Sequence, residues 1–235
     1  ETTLFNDINI RWHRNYQAHD IDLFGGFRLA SYSYNASSIS GYNNENDKMP
    51  NISGSLDNLA NGGVNDKWMN LAYYLNAGYN YANKYFLNAG VTMEASSRFG
   101  KDTDAGIKLC GVSWGLFPSV QAAWLMSSEK WFDVKLIDYF KLTAGYEESG
   151  NDNVDYYASR TYFENMKFMD KKTGLVLSNV QNPKIQWETN HRFNVGLETS
   201  LLNNRLNLAV EYFWSKTTDL LTRKAVSDII GLPYI

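Results

Sequence analysis

The sequence predicts an all-β protein whose antiparallel strands form a transmembrane β-barrel. Three observations support this fold class: apolar and polar residues alternate along eight segments, the connections alternate between short and long, and aromatic residues are abundant. Aromatic residues make up 15% of the 235 residues and only 4 prolines are present. This composition favours strands over helices and over disorder.

A period of two residues marks each of the eight segments. In the third segment, Leu71, Tyr73 and Leu75 alternate with Asn70 and Asn76, whereas a helical period would mix these two sets within one turn. A barrel strand crosses a bilayer with about 9–11 residues, so we interpret each segment as one crossing. The segments are residues 7–13, 21–29, 69–80, 85–94, 119–124, 140–147, 185–198 and 205–214.

The connections between these segments alternate in length. In chain order they are residues 15–20, 34–67, 82–84, 96–114, 127–138, 148–184 and 202–204. Outer-membrane barrels have short periplasmic turns and long extracellular loops, so we expect residues 34–67, 96–114 and 148–184 to lie outside the cell.

Aromatic residues gather at the short-turn ends of the segments, where a barrel carries a girdle at the membrane interface. They are Trp12, Tyr16, Tyr79, Tyr81, Tyr85, Trp124 and Trp131. A soluble β-sandwich or propeller would also alternate its faces, and this alternative stays open from the pattern alone.

Composition excludes several other classes. The 22 Lys and Arg nearly balance the 25 Asp and Glu, so neither a basic nucleic-acid surface nor an acidic tail is indicated. A single cysteine, Cys110, excludes an internal disulfide framework. The longest low-charge run, residues 111–126, is too short for a membrane helix. The chain begins without the pattern of a signal peptide. We interpret this as a signal peptide that was removed, is absent, or lies upstream of residue 1.

Five motifs within residues 65–221 resemble SusC/RagA-type TonB-dependent outer-membrane transporters. Residues 96–100 (Ser-Ser-Arg-Phe-Gly) resemble the family's DGSSRFG hallmark, with Glu94-Ala95 in place of the commoner Asp-Gly. The other similar stretches are residues 117–124 (FPSVQAAW), 141–146 followed by 150–152 (KLTAGY and GND), 182–198 (NP, then WE, then NVGLE), and 204–205 with 218–221 (NR and TDLL). Their order and spacing match the family, whereas residues 1–64 carry no hallmark.

The resemblance implies a larger parent protein. Such a parent has a 22-stranded barrel, a plug domain and a segment that contacts TonB, so residues 1–235 would be a partial β-barrel domain of about eight strands. The ending at residues 231–235 is unlike a closing strand, which favours a fragment over a complete eight-stranded barrel. The implied function is import of glycans or peptides across the bacterial outer membrane, with a SusD-like surface lipoprotein as partner and outer-membrane lipid around the wall.

Strand charges and polar residues should face the barrel lumen, because a charge at the bilayer midplane costs about 2–4 kcal/mol. The lumen-facing candidates are Arg28, Asn76, Glu94, Gln121, Lys141 and Glu147. Contact with a plug, or pairing within the wall, is the simplest role for them.

Aromatic residues in the long connections are the candidates for substrate contact, since flat rings stack on sugars and on peptide side chains. They are Tyr42, Trp68, Trp114, Tyr156, Tyr157 and Tyr162. The alternative is that these rings pack one connection against another. A soluble β domain that binds carbohydrate through the same rings is the second functional hypothesis.

Nothing in the sequence indicates an enzyme, a cofactor or a metal. The histidines His13, His19 and His191 lack a second ligand at metal spacing, and no nucleophile elbow or phosphate loop is present. Asp152 and Asp155 lie in an oxygen-rich loop, but the spacing of a calcium-binding EF-hand is missing.

Overall fold

The computed structural model describes residues 1–42, 57–104, 106–168 and 172–222. Within these ranges the chain forms eleven strands and one short 3₁₀ turn, Met126–Ser128. The strands are β1 (Thr2–Tyr16), β2 (His19–Tyr42), β3 (Asp57–Tyr81), β4 (Tyr85–Ser96), β5 (Ile107–Leu109), β6 (Val112–Leu125), β7 (Ile137–Asn151), β8 (Tyr162–Phe168), β9 (Lys172–Asn179), β10 (Glu188–Leu201) and β11 (Leu206–Thr218). No helix within these ranges is long and apolar enough to cross a membrane.

Eight of the strands form one antiparallel path in the order β1-β2-β3-β4-β6-β7-β10-β11. Each strand pairs with the one beside it in this order. The short β5 pairs with β6, and β8 and β9 form a separate two-stranded sheet. The eight predicted segments correspond to these eight strands, which confirms them, although the seventh strand begins at Glu188 rather than at Ile185.

The prediction that the three long connections are loops was wrong over much of their length. The β2–β3 hairpin continues with paired residues from Tyr34 opposite Asp66 to Ser40 opposite Ala60. Within residues 96–114 the hairpin of β5 and β6 forms, and within residues 148–184 the end of β7 and the β8–β9 hairpin form. The last strand also ends later than the predicted segment 205–214, because β11 runs to Thr218.

The reason is that alternation reveals only strands with one apolar face. Residues 34–42 read YNASSISGY and are largely polar on both faces. Their backbone N–H and C=O groups nevertheless complete a ladder with β3, and a ladder needs no apolar side chains.

The register gives the eight-stranded sheet an apolar face and a polar face. On the apolar face, Leu75 lies opposite Val91 and Leu197 opposite Val210. These side chains are open to the surroundings: Val210 is 64% exposed and Ile10 is 77% exposed. In the part of the chain that the structure describes, no second sheet covers this face, as a soluble sandwich would require.

The short turns use left-handed backbone conformations. Ala82 and Asn83, between β3 and β4, both have φ of 54°. Leu202, Asn203 and Asn204, between β10 and β11, have φ of 58°, 56° and 60°. Positive φ in the connecting residues is typical of the tight turns whose twist suits a hairpin. These turns set the registers of the strands on both sides.

Burial is concentrated at the opposite end of the sheet from these turns. Phe99, Phe117 and Trp187 form a cluster of buried apolar residues there. The cluster joins the connection after β4, strand β6 and the connection before β10, and it is the part of the described structure that most resembles a conventional hydrophobic core.

Candidate functional site

The polar face of the sheet carries charges that pair across neighbouring strands. Arg11 forms a bidentate ion pair with Asp22, and Arg28 Nε lies 3.3 Å from an Asp7 carboxylate oxygen. Further along the sheet, Lys141 lies 3.5 Å from Glu198, and Arg192 lies 3.8 Å from Glu147 and 4.0 Å from Glu211. This face is therefore charged but largely neutralised, which suits a water-filled passage better than contact with hydrocarbon.

The six candidates for lumen-facing residues share this polar face by strand register. Arg28 lies opposite Ala72, which lies opposite Glu94. The remaining candidates stand on the same face along β3, β6 and β7: Asn76, Gln121, Lys141 and Glu147. Glu94 accepts a hydrogen bond of 2.6 Å from the side-chain amide of the buried Asn70.

Two concavities lie on the polar face. One of about 480 Å³, nearer the short turns, is lined by His13, Asp20, Asn80, Gln121 and Lys141 among others. A second of about 380 Å³ lies around Asp7, Arg28 and Tyr74. Both present hydrogen-bonding side chains from several strands, as a surface for polar solutes or for another protein segment requires.

Aromatic rings form a row at the short-turn end of the sheet. Tyr85 lies 6.2 Å from both Tyr81 and Trp124, and Trp124 lies 6.2 Å from Trp131, all measured between ring centroids. Each of these four rings belongs to the girdle predicted from the sequence. Rings with one apolar side and one polar atom are suited to a membrane interface.

Glu129, in the connection after β6, ties this row together. Its carboxylate accepts hydrogen bonds from the Tyr85 hydroxyl at 2.6 Å, from Lys84 Nζ at 3.1 Å and from Trp124 Nε1 at 3.3 Å. The Tyr85 hydrogen bond, and then the Lys84 hydrogen bond, hold the pKa of Glu129 below its usual range. Nothing in the spacing of the sequence indicated this residue.

A second cluster forms where the long connections meet the polar face, and Arg98 is at its centre. The Arg98 guanidinium lies between two rings, with its Cζ 4.8 Å from the centroids of both Trp68 and Tyr156. Its Nη1 donates to the Asp152 carbonyl oxygen at 2.8 Å and lies 3.5 Å from an Asp152 carboxylate oxygen. The Arg98 side chain is only 15% exposed.

Asp152 collects further donors on its other carboxylate oxygen. That oxygen accepts from the Ser96 hydroxyl at 3.0 Å and from Trp68 Nε1 at 3.3 Å. Because protein donors and the Arg98 cation surround it, Asp152 has a structural role here, and the described residues hold no group of three potential metal-binding side chains.

The apolar cluster of Phe99, Phe117 and Trp187 lies beside the Arg98 contacts, towards β10. The Trp187 ring lies 4.5 Å from the Phe99 ring and 5.5 Å, edge on, from the Phe117 ring. The backbone N–H of Gly100 donates to the Ile185 carbonyl oxygen at 3.1 Å. A Cβ atom on Gly100 would lie 1.8 Å from the Pro183 carbonyl oxygen, so only glycine permits this approach.

Most of the aromatic candidates for substrate contact take part in internal contacts. Trp68 and Tyr156 enclose Arg98, the buried Trp114 lies 5.6 Å from the Tyr73 ring, and the Tyr157 hydroxyl bonds to the backbone of residues 65 and 67. Tyr162 is 37% exposed and meets Tyr157 edge on. The side chain of Tyr42 lies outside the described residues.

The three histidines all have protein partners on different parts of the sheet. Nδ1 of His13 lies 3.3 Å from Asp20 and Nδ1 of His191 lies 3.2 Å from Glu148, in each case from a carboxylate oxygen. His19 Nδ1 lies 2.8 Å from the hydroxyl of Tyr79.

An open antiparallel sheet with one uncovered apolar face and one charge-paired polar face is a wall segment of a membrane β-barrel. The chain belongs to the family of TonB dependent receptor-like β-barrels, whose family model matches residues 2–234. Members of this family are outer-membrane β-barrel proteins.

Curated relatives carry the same family name. TonB-dependent receptor P39 of Formosa agariphila is 27% identical over 220 residues, which are 92% of this chain and 20% of the relative. TonB-dependent receptor SusC of Bacteroides thetaiotaomicron is 27% identical over 159 residues, which are 64% of this chain and 15% of that protein. The chain therefore spans about a fifth of the length of these relatives or less.

A solved structure of the RagAB peptide transporter shares the fold. The TM-score is 0.82 at 20% identity, and the match covers 99% of this chain and 25% of the transporter chain. The expected fold, part of a large antiparallel outer-membrane barrel, is confirmed, and so is the family that the motifs resemble.

Proposed function

We propose that this chain forms part of the wall and extracellular rim of a TonB-dependent importer for nutrients of the glycan or peptide class. One observation supports the proposal most directly. This chain belongs to the receptor family, and its sheet has an uncovered apolar face on one side and paired charges on the other. The apolar face would contact outer-membrane lipid, and the polar face would line the passage.

In this arrangement the six polar-face candidates, Arg28, Asn76, Glu94, Gln121, Lys141 and Glu147, contact water, solute or a plug. The short turns would lie on the periplasmic side, and the long connections would lie outside the cell. The row of rings from Tyr81 to Trp131 supports this orientation, since it marks one membrane interface at the short-turn end.

The partners follow from the same proposal. Energy would come from a TonB complex through parts of the importer that we expect outside residues 1–235. A SusD-like surface lipoprotein would cap the extracellular mouth. The fold shared with the RagAB peptide transporter is consistent with peptide import, and the SusC relative keeps the glycan class equally in view.

The candidate rings differ in their suitability for substrate contact. Tyr162 retains an exposed surface in the connection after β7, so it is the strongest of the five candidates whose side chains the structure describes. Trp68 and Tyr156 are less suited, because each has one ring face against Arg98 and Tyr156 also stacks on Tyr32.

Uptake in cells tests the function directly. Cells that carry the full-length protein are given two fluorescent probe pools, tryptic casein peptides and maltodextrins, in strains with and without functional TonB. We expect TonB-dependent accumulation of one pool. Accumulation of neither, with the protein assembled in the outer membrane, would contradict import of these two substrate classes.

Fractionation separates the proposal from a soluble carbohydrate-binding domain. The full-length protein should stay with outer membranes and need detergent for extraction, because its large apolar face has no protein cover in the described residues. A protein that stays monodisperse in detergent-free buffer would favour the soluble alternative.

A further inference from the structure

We propose that Arg98 is a positioning residue that fastens the connection between β7 and β10 onto the polar face of the barrel wall. The fastening is a property of the fold, and its consequence for uptake rests on the proposed import function. By this fastening, residues 152–160 are held across the mouth of the passage instead of extending away from the wall.

The first argument is that Arg98 joins three separate parts of the chain. It lies in the connection after β4, stacks on Trp68 of β3, and stacks on Tyr156 in the connection after β7. It also donates to the Asp152 carbonyl oxygen at 2.8 Å. Ring faces and an in-plane acceptor together suit a planar guanidinium, and the compact ammonium of lysine cannot match both.

The second argument is that neighbouring contacts hold the same connection at both its ends. Asn151 donates to Glu188 at 2.7 Å, which joins the two strands where the connection begins and ends. The Tyr157 hydroxyl donates to the Asn65 carbonyl oxygen and accepts from the Lys67 N–H, both at 3.2 Å. The connection therefore contacts the β2–β3 hairpin, on the far side of β4.

The third argument is that these contacts lie outside the regular pairing of the wall. β6 pairs with β7 only between Ser119–Glu147 and Leu125–Lys141. Beyond this point the two strands have no ladder between them, and the Phe117 ring fills the space so closely that a Cβ on Gly150 would lie 2.2 Å from its Cζ. Loss of Arg98 should therefore release the connection and leave the hydrogen-bonded pairing of β7 with β10 intact.

Hydrogen–deuterium exchange on the full-length protein tests this proposal. The variants are Arg98→Ala, Arg98→Lys and Asp152→Asn, and the matched control is Arg192→Ala, which removes a charge that pairs with Glu147 on the wall. For both Arg98→Ala and Asp152→Asn we expect exchange at least tenfold faster in residues 152–160 and 184–187. Exchange within β7 and β10 should be unchanged, and Arg98→Lys should give a smaller increase.

Three results would overturn the proposal. One is unchanged exchange of residues 152–160 in Arg98→Ala and Asp152→Asn. Another is an equal increase across β7 and β10, which would make Arg98 a general stabiliser of the wall. The third is failure of all three variants to assemble while Arg192→Ala assembles, because the cluster would then be needed for barrel formation itself.

An uptake measurement adds the functional arm. With the probe pool that the wild-type protein imports, Arg98→Ala should raise the half-saturating concentration several-fold and leave the maximal rate per assembled receptor unchanged. A fall in maximal rate alone would contradict a positioning role in uptake. If the wild type imports neither pool, the import proposal fails for those probes, and the exchange experiment still decides the fastening.

Discussion

Arginine at Val210 should destabilise the barrel far more than arginine at Ala209, its neighbour on β11. Val210 is 64% exposed on the apolar face, opposite Leu197. Ala209 lies on the polar face opposite Glu198, so an arginine there can pair with a carboxylate. The two substitutions introduce the same side chain at adjacent positions that occupy opposite faces of the sheet.

The expected magnitude follows from the depth of Val210. A strand tilted by about 40° rises roughly 2.6 Å per residue along the membrane normal. Since β11 begins at Leu206, Val210 lies roughly 10 Å from the short-turn end, near the middle of an apolar band about 25 Å tall. Arginine at the midplane costs about 2–4 kcal/mol, which lowers the folding equilibrium constant by a factor of roughly 30 to 1,000. Leu208→Arg, nearer the interface, should cost less.

Equilibrium unfolding of the full-length protein in lipid vesicles measures these differences. The order of stability should be wild type, then Ala209→Arg close to it, then Leu208→Arg, then Val210→Arg. Equal losses for Ala209→Arg and Val210→Arg would show that the two faces are wrongly assigned. A greater loss for Leu208→Arg than for Val210→Arg would refute the depth argument.

Three further outcomes follow from the rim and the turns. The free energy of unfolding should fall as pH falls, because Glu129 has a lowered pKa in the folded state. The stabilisation by ionised Glu129 is present above the usual glutamate pKa of about 4.3 and is lost as pH falls below it. Unfolding measured from pH 6 to pH 3 should show this loss in the wild type and a flatter profile in Glu129→Gln; parallel profiles would contradict it. Ala82→Gly should raise stability by up to about 1 kcal/mol, because φ is 54° there and left-handed backbone disfavours a Cβ. The matched change Ala89→Gly, within β4, should lower stability, and a gain there would refute the turn argument. Gly100→Ala should speed amide exchange around Pro183, since its Cβ would meet that carbonyl oxygen; unchanged exchange would show that the contact is not tight.

The eight wall strands were predictable because lipid requires one apolar face on every strand. In β10 and β11 the period-2 pattern is physically enforced, since a slip of one residue would turn all apolar side chains to the polar face. The extension of β2 and β3 was not predictable in this way. Both faces there are polar, so the sequence reads as a loop although its backbone is paired.

The site was predictable only in its parts. The motif at residues 96–100 drew attention to Arg98, but its partner Asp152 lies 54 positions away and is brought near only by the packing of two connections. Trp68 and Tyr156 were candidates for substrate contact, with packing of one connection against another as the alternative, and in the structure they enclose a cation. Ring content alone cannot distinguish these uses, because the same face that stacks on a sugar also stacks on a guanidinium.

The length of the β2–β3 hairpin determines how far the barrel wall rises above the membrane. β3 contains 25 residues, which at about 3.4 Å per residue and about 40° of tilt rise roughly 65 Å along the membrane normal. Because the apolar band accounts for only about 25 Å of this, a ladder of backbone hydrogen bonds stands roughly 40 Å clear of the hydrocarbon. On this side the barrel would have a raised rim of paired strands, and an approaching solute or antibody would meet this rim well before the bilayer surface.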